Sequence, residues 1–172
     1  MIFTAFADGR LRIEERWARC ALGRGGVVPA GVKTEGDGAS PAGVWPLRRV
    51  LWRADRLPRP RTSLPATVLR QDDGWCDDPA DPNYNQRVAW PYGASAERLW
   101  RDDGVYDLII VLGHNDSPVR SGAGSAIFLH VARRDFRPTE GCVALEAPDL
   151  LSLLALTTPG DSLEISRHTS GV

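Results

Sequence analysis

The stretch IFLHVARRDFRPTEGCVAL, Ile127 to Leu145, decides how the chain is read. Ile127-Phe128-Leu129 is a short apolar run of β type ending on His130, and twelve positions later Cys142 follows Gly141. Between them ARRDFRPTE is polar and contains Pro138, so it is expected to be a loop that carries the chain back. A thiol attacks a carbonyl only as its thiolate. A free cysteine, with a pKa of about 8.5, is mostly protonated at neutral pH, so a neighbouring imidazole has to take the proton or stabilise the anion. His130 at a strand end is held more rigidly than a loop residue would be. Gly141 permits close backbone approach, and N–H groups around Gly141 and Cys142 can face a developing oxyanion. The segment thus reads as nucleophile Cys142, general base His130 and an oxyanion site on the Gly141 backbone. The competing reading of Cys142 is a buried apolar side chain. Activation implies that Cys142 alkylates much faster than Cys20 or Cys76.

Further motifs lie upstream: KTEGDGASPAGVWPL (Lys33 to Leu47), GWCDDP with YN (Gly74 to Asn85) and VLGHN (Val111 to Asn115). With His130 followed by Thr139-Glu140-Gly141-Cys142, this series resembles the L,D-transpeptidase (YkuD) family, in which a strand histidine precedes a Ser/Thr-x-Gly-Cys turn. The resemblance covers most of the chain. It implies a mainly β fold, an L,D-transpeptidase-like β-sandwich with one or two short helices, in a single domain over residues 1–172. It also implies two-step acyl transfer on peptidoglycan stem peptides or muropeptides. Cys142 takes the acyl group as a thioester, and His130 helps deprotonate the acceptor amine; no cofactor and no metal are required. With water as acceptor the same site is an L,D-carboxypeptidase. Substrate contacts are expected from His114, Asn115, Thr139 and Glu140, with Tyr84 shaping the site from below. Carbapenem sensitivity and work on the cell wall follow from the same resemblance.

The chain departs from the family pattern in two places. Many members have His-Gly where this chain has His130-Val131, and His-Gly-Cys followed by a nearby arginine where it has Glu140-Gly141-Cys142 and then Ala144. Arg133, Arg134 or Arg137 is expected to replace that arginine, because a guanidinium suits forked carboxylate binding.

Length and composition bound the alternatives. A chain of 172 residues suits one domain with a proper core. A net charge of −1 lacks the basic excess of a nucleic-acid binder. The 17 glycines and 13 prolines favour a turn-rich, strand-rich architecture. Three cysteines without CxxC spacing argue against a disulfide framework and a zinc ribbon. No run approaches a membrane span, and a monomer is expected. The resemblance implies the periplasm or cell envelope. The N-terminus MIFTAFADGRLRIEERW has no recognisable signal peptide, which leaves the cytoplasm open.

Along the chain, Ile2 to Ala7 and Leu11 to Trp17 read as strands across Asp8-Gly9. Trp17 to Leu22 continues the second, with Cys20 in the core. Gly23-Arg24-Gly25-Gly26 is a turn, and Val27-Val28 with Val32 a short strand. Val44 to Trp52 and Thr67 to Gln71 read as strands, Asp73-Gly74 as a turn, and Ala94 to Trp100 as a short helix capped by Ser95. Leu108 to Gly113 is a buried central strand. After Cys142, Val143 to Leu145 re-enters the core. A helix from Pro148 buries Leu150, Leu151, Leu153 and Leu154 and ends at Pro159-Gly160; Ser162 to Ile165 is the last strand. Two rivals remain: a non-catalytic muropeptide-binding domain, and a zinc hydrolase using His114, His130 and Cys142.

Overall fold

Two tight turns fold the first twenty-one residues into an antiparallel meander. In the computed structural model, which describes residues 1–171, β1 (Ile2–Phe6) turns through Asp8-Gly9 into β2 (Arg10–Ile13), and β3 (Arg16–Ala21) follows. The single strand expected over Leu11 to Trp17 is broken. Glu14 takes a left-handed φ of 53°, and the chain reverses so that Ile13 pairs with Arg16. Cys20, on β3, is buried in the core.

The long strand β5 (Ser40–Trp52) organises the topology. β4 (Val27–Pro29) runs parallel to its start, and a single 3-10 turn, Ala30–Val32, takes up Val32, which was expected in a strand. The first half of β5 pairs with β13 (Ser162–Ser166) and the second half with β10 (Leu108–Leu112), while β6 (Ala66–Val68) lies parallel to its end. From β10 the sheet continues through β11 (Phe128–Val131), β12 (Val143–Leu145), β3, β2, β1 and β13 back to β5, so it closes on itself. The fold is therefore mainly β, with one α-helix among the described residues.

Alternation of side chains across this sheet builds two cores. Leu108, Ile110 and Leu112 of β10, Leu129 of β11, and Val143 and Leu145 of β12 face the interior of the closed sheet. Ile109, Val111, Phe128 and Cys142 face a second apolar cluster with Leu51, Trp75 and Tyr106. Successive strand residues point to opposite faces, so a strand buried on both reads as an unbroken apolar run. That is why LIIVL lacks a polar alternation.

The second cluster is covered by a small sheet of β7 (Asp73–Cys76), β8 (Arg87–Ala89) and β9 (Ala96–Arg98), in the order β8-β7-β9. Two sequence expectations fail here. Asp73-Gly74 begins a strand, the turn lying just before it, where Asp73 N–H donates to the Arg70 carbonyl at 3.1 Å. Ala94 to Trp100 contains β9 instead of a helix. Seven residues are too few for a helix to be stable alone, and pairing Glu97 with Trp75 supplies the backbone bonds.

The helix α1 (Ala147–Leu156) buries Leu150, Leu153 and Leu154, each at 0% exposure. Leu151, expected on that side, lies off the i, i+3, i+4 stripe and is 36% exposed.

The Gly23 to Gly26 turn packs into the loop before β5. A Cβ on Gly23 would lie 2.4 Å from the Gly38 carbonyl oxygen and 2.7 Å from the Ser40 nitrogen, whereas one on Gly31 would meet nothing within 4 Å. Backbone cannot yield as a side-chain tip can, so we expect Gly23→Ala to cost roughly 2–3 kcal/mol and Gly31→Ala within about 0.5 kcal/mol of zero. Urea unfolding of the two variants checks this; equal midpoints would contradict it.

Candidate active site

The parallel pairing of β11 and β12 brings the sequence motif together. Leu129 pairs with Val143 and His130 with Ala144, which sets Cys142, one residue before β12, beside Phe128. The Phe128 N–H donates to Cys142 Sγ at 3.4 Å, and the thiol donates to the Ala126 carbonyl at 3.2 Å. Residues two apart share a face. His130 therefore projects from the same side as Phe128 and Cys142, and both line one cleft of about 610 Å³.

The surroundings fix the state of both groups. His130 Nδ1 lies 2.9 Å from the Val131 carbonyl oxygen. A carbonyl can only accept, so the proton is on Nδ1 and Nε2 carries the free lone pair. The imidazole packs edge-on against Tyr106 with ring centroids 5.2 Å apart. Burial holds the His130 pKa down to about 4; Arg101 and Arg133 add to this, while the Val131 bond opposes it. Burial likewise pushes the Cys142 thiol up to about 12, helped by the charge of Glu97 and opposed by the Phe128 N–H. In the free protein the thiol and the imidazole are therefore both neutral. Cys20 is pushed to about 12 as well. Faster alkylation of Cys142 would therefore rest on its position in the cleft.

The turn at Gly141 and Cys142 is tied from several sides. Gly141 has a φ of +136°, and a Cβ there would lie 2.9 Å from the Ala39 carbonyl oxygen. Thr139 Oγ1 accepts from Gly141 N–H at 3.1 Å and donates to the Cys142 carbonyl at 2.6 Å. Thr139 also exchanges backbone bonds with Leu22 and Arg24, and Arg24 pairs with Glu140 at 2.8 Å. Behind them Asp37 caps its own loop, accepting from Thr34 N–H, Ala39 N–H and the Lys33 ammonium.

The residues expected to contact substrate divide into two groups. Arg133, Thr139 and Glu140 line the cleft, as does Arg137; Arg134, His114, Asn115 and Tyr84 do not. Asn115 bonds the backbone of Arg120 and Gly124 and so shapes its own loop. The Tyr84 hydroxyl accepts from Gly124 N–H at 3.0 Å and donates to Glu35. His114 is buried against Trp45, with ring centroids 4.8 Å apart, and its Nδ1 has no hydrogen-bond partner among the described residues. The trio His114, His130 and Cys142 that a zinc site needs is not brought together, and no group of three potential ligands converges among the described residues.

Asp77, Glu97, Arg101, Tyr106 and Ser125 also line the cleft and were not singled out as site residues. Reading Ala94 to Trp100 as a helix concealed Glu97 and the approach to Arg101. Tyr106 lies in a turn and carried no periodic signal. Asn85, which accepts from Trp75 Nε1 and Ala126 N–H and donates to the carbonyls of His114 and Asn115, joins the small sheet to the site.

His114 and His130 both have pKa values lowered by burial to about 4. The unfolded chain binds protons at these sites first, so stability is complete above about pH 6.5 and declines as the pH falls toward 4. The expected loss is roughly 2–3 kcal/mol per histidine, partly offset by Glu97, whose raised pKa acts in the opposite sense. Urea unfolding between pH 7 and 4.5 measures the slope, which His130→Asn should about halve. Stability independent of pH across that window would contradict buried neutral imidazoles.

Comparison with known proteins gives the family. Three solved structures resemble the chain: an L,D-transpeptidase from Mycobacterium smegmatis (9% identity, TM-score 0.45, 96% of this chain and 58% of that one), L,D-transpeptidase 1 from Mycobacterium tuberculosis (13%, 0.42, 95% and 60%) and L,D-transpeptidase 3 from Mycobacterium tuberculosis bearing a faropenem-derived adduct (11%, 0.46, 96% and 60%). The chain thus spans about three fifths of their length. No curated protein matches it. The model of the L,D-transpeptidase catalytic domain matches residues 1–165, and the chain belongs to that family, YkuD.

Proposed function

We propose that the chain is a single catalytic domain that crosslinks peptidoglycan stem peptides in the cell envelope through a cysteine thioester. The observation that supports this best is the shared face of His130 and Cys142 on adjacent parallel strands, with His130 Nδ1 tied to the Val131 carbonyl so that Nε2 is the free base. As Sγ attacks the donor amide carbon, its proton passes to His130 Nε2 and a C–S bond forms. The tetrahedral intermediate then expels the amine, which takes that proton, leaving the thioester. In the second half the acceptor amine gives a proton to His130, C–N forms, C–S breaks, and the sulfur is reprotonated. Gly141 N–H is donated to Thr139 Oγ1 in the free protein. Its service to an oxyanion requires that hydroxyl to turn away, with Cys142 N–H as the adjacent donor. Arg133 and Arg137 are the cleft arginines that stand in for the one missing after the nucleophile.

The test is incubation with disaccharide tetrapeptides and mass spectrometry of products and intact protein. Crosslinked dimers and a donor-sized adduct on Cys142 are expected. Cys142→Ala should abolish both, and His130→Asn should lower kcat/KM by about 10²–10⁴. Shortened monomers alone would make the enzyme a carboxypeptidase, and no adduct under rapid quenching, with a carbapenem as well as the peptide, would refute the thioester.

The acid limb of kcat/KM provides a second check. Because His130 is a base only above its lowered pKa of about 4, acylation should hold its rate from pH 7 down to about 5. A fall centred near pH 6.5 would show the imidazole to be solvated.

A further inference from the structure

A lysine ammonium shut away from water is costly unless its surroundings repay it. Lys33, between the 3-10 turn and β5, has a side chain only 3% exposed. Its Nζ donates to the Thr34 carbonyl at 2.9 Å and to Asp37 Oδ1. Lys33 does not line the cleft, so whatever it does for the site passes through other groups.

Two backbone segments that hold Cys142 rest on this ion pair. On one side Asp37 Oδ1 also accepts from Ala39 N–H at 2.8 Å, and the Ala39 carbonyl oxygen is the atom that abuts Gly141, 2.9 Å from where a Cβ would stand. On the other side the lysine stem lies against Gly124, where a Cβ would meet Lys33 Cε at 3.0 Å and Lys33 Cγ at 3.2 Å. Two residues further on, Ala126, at a left-handed φ of 53°, offers the carbonyl that takes the Cys142 thiol at 3.2 Å. Glu35 N–H, donated to the Gly122 carbonyl at 2.8 Å, ties the two segments to each other. The ammonium therefore stands where the backbones that fix the sulfur are joined.

Its charge is felt there as well. Burial and the charge of Glu97 raise the Cys142 thiol, and Lys33 acts in the opposite direction. After burial, Lys33 is also the next cause that holds the His114 imidazole down. In so dry a region a full charge acts beyond its immediate contacts. Packing alone does not call for an ammonium, because a methionine of similar length would fill the same space without the cost of desolvation.

We propose that Lys33, anchored by Asp37, is the positioning residue of Cys142: it locks the Ala39 and Ala126 segments around the sulfur and keeps a fixed positive charge near it. That this prepares a nucleophile rests on the acyl-transfer reading above; the orientation and charge at the thiol do not.

The test reads the thiol first and turnover second. Alkylation by iodoacetamide is followed on the Cys142 and Cys20 peptides by mass spectrometry, with the folded protein held at values between about pH 7 and 10. Only the thiolate reacts, so Lys33→Met, which keeps the length and removes the charge, should slow Cys142 at least about 5-fold at each pH and leave Cys20 unchanged. A side chain that merely staples the loop would act the other way, since loosening the fold exposes both thiols. If Lys33→Met does not fold, Lys33→Met with Asp37→Asn is read instead; it leaves no carboxylate unpaired and keeps an oxygen for the Thr34 and Ala39 N–H groups. Unchanged alkylation of Cys142, or faster alkylation of Cys142 and Cys20 together, would overturn the proposal. With disaccharide tetrapeptides as substrate, kcat should fall at least about 10-fold while KM stays within about 3-fold, and an effect confined to KM would count against a role at the sulfur. Should the wild-type protein form no acyl-enzyme at all, the acyl-transfer reading fails while the alkylation rates still decide what Lys33 does.

Discussion

Burial of the β10–β11–β12 layer on both faces is the constraint on which the rest depends. With one face closed into the main core and the other under the small sheet, each residue in the layer has its direction fixed by parity. A one-residue slip of β12 against β11 would exchange Val143 with Cys142, sending the thiol into the main core and a valine toward the cleft. The relation between His130 and Cys142 is thus enforced by every apolar contact in the layer, which a loop-borne pair would lack.

The dry setting that fixes the pair also sets its chemistry. Burial raises the thiol and lowers the imidazole, so neither is charged at rest. An ion pair there would have to be desolvated permanently, a cost the neutral pair avoids. Tyr106 is central to this arrangement. Its ring covers both His130 and Phe128, while its hydroxyl is committed to Glu97. The small sheet therefore does more than cover the second core, since it carries Glu97, whose charge opposes ionisation of the Cys142 thiol.

Much of the fold was legible where local pattern and tertiary demand agree. The Asp8-Gly9 hairpin, the unbroken apolar run of β10, the strand ending at His130 and the Pro148 start of α1 were all readable from the sequence. Legibility failed where packing overrules local preference. ASAERLW contains good helix formers, yet its backbone is taken up by β7; Glu14 makes a turn in a run that alternates like a strand. The cleft was legible at Cys142 and His130 because they are close in sequence. Glu97, Arg101 and Tyr106 reach the cleft from a sheet and turn that no periodicity announced. Tyr84, His114 and Asn115, polar residues within the recognised motifs, are spent on the scaffold behind the cleft.

The position of β13 carries a consequence for how the molecule is made. This last strand lies between β1, the first, and β5, pairing with both over most of its length. Until it emerges from the ribosome, two long edges of unpaired backbone face each other across an empty slot, and the sheet cannot close. Folding is therefore committed late and through contacts of the greatest sequence separation, such as the amino group of Met1 with Asp161. During that interval the nascent chain is a ready acceptor for strands of its neighbours.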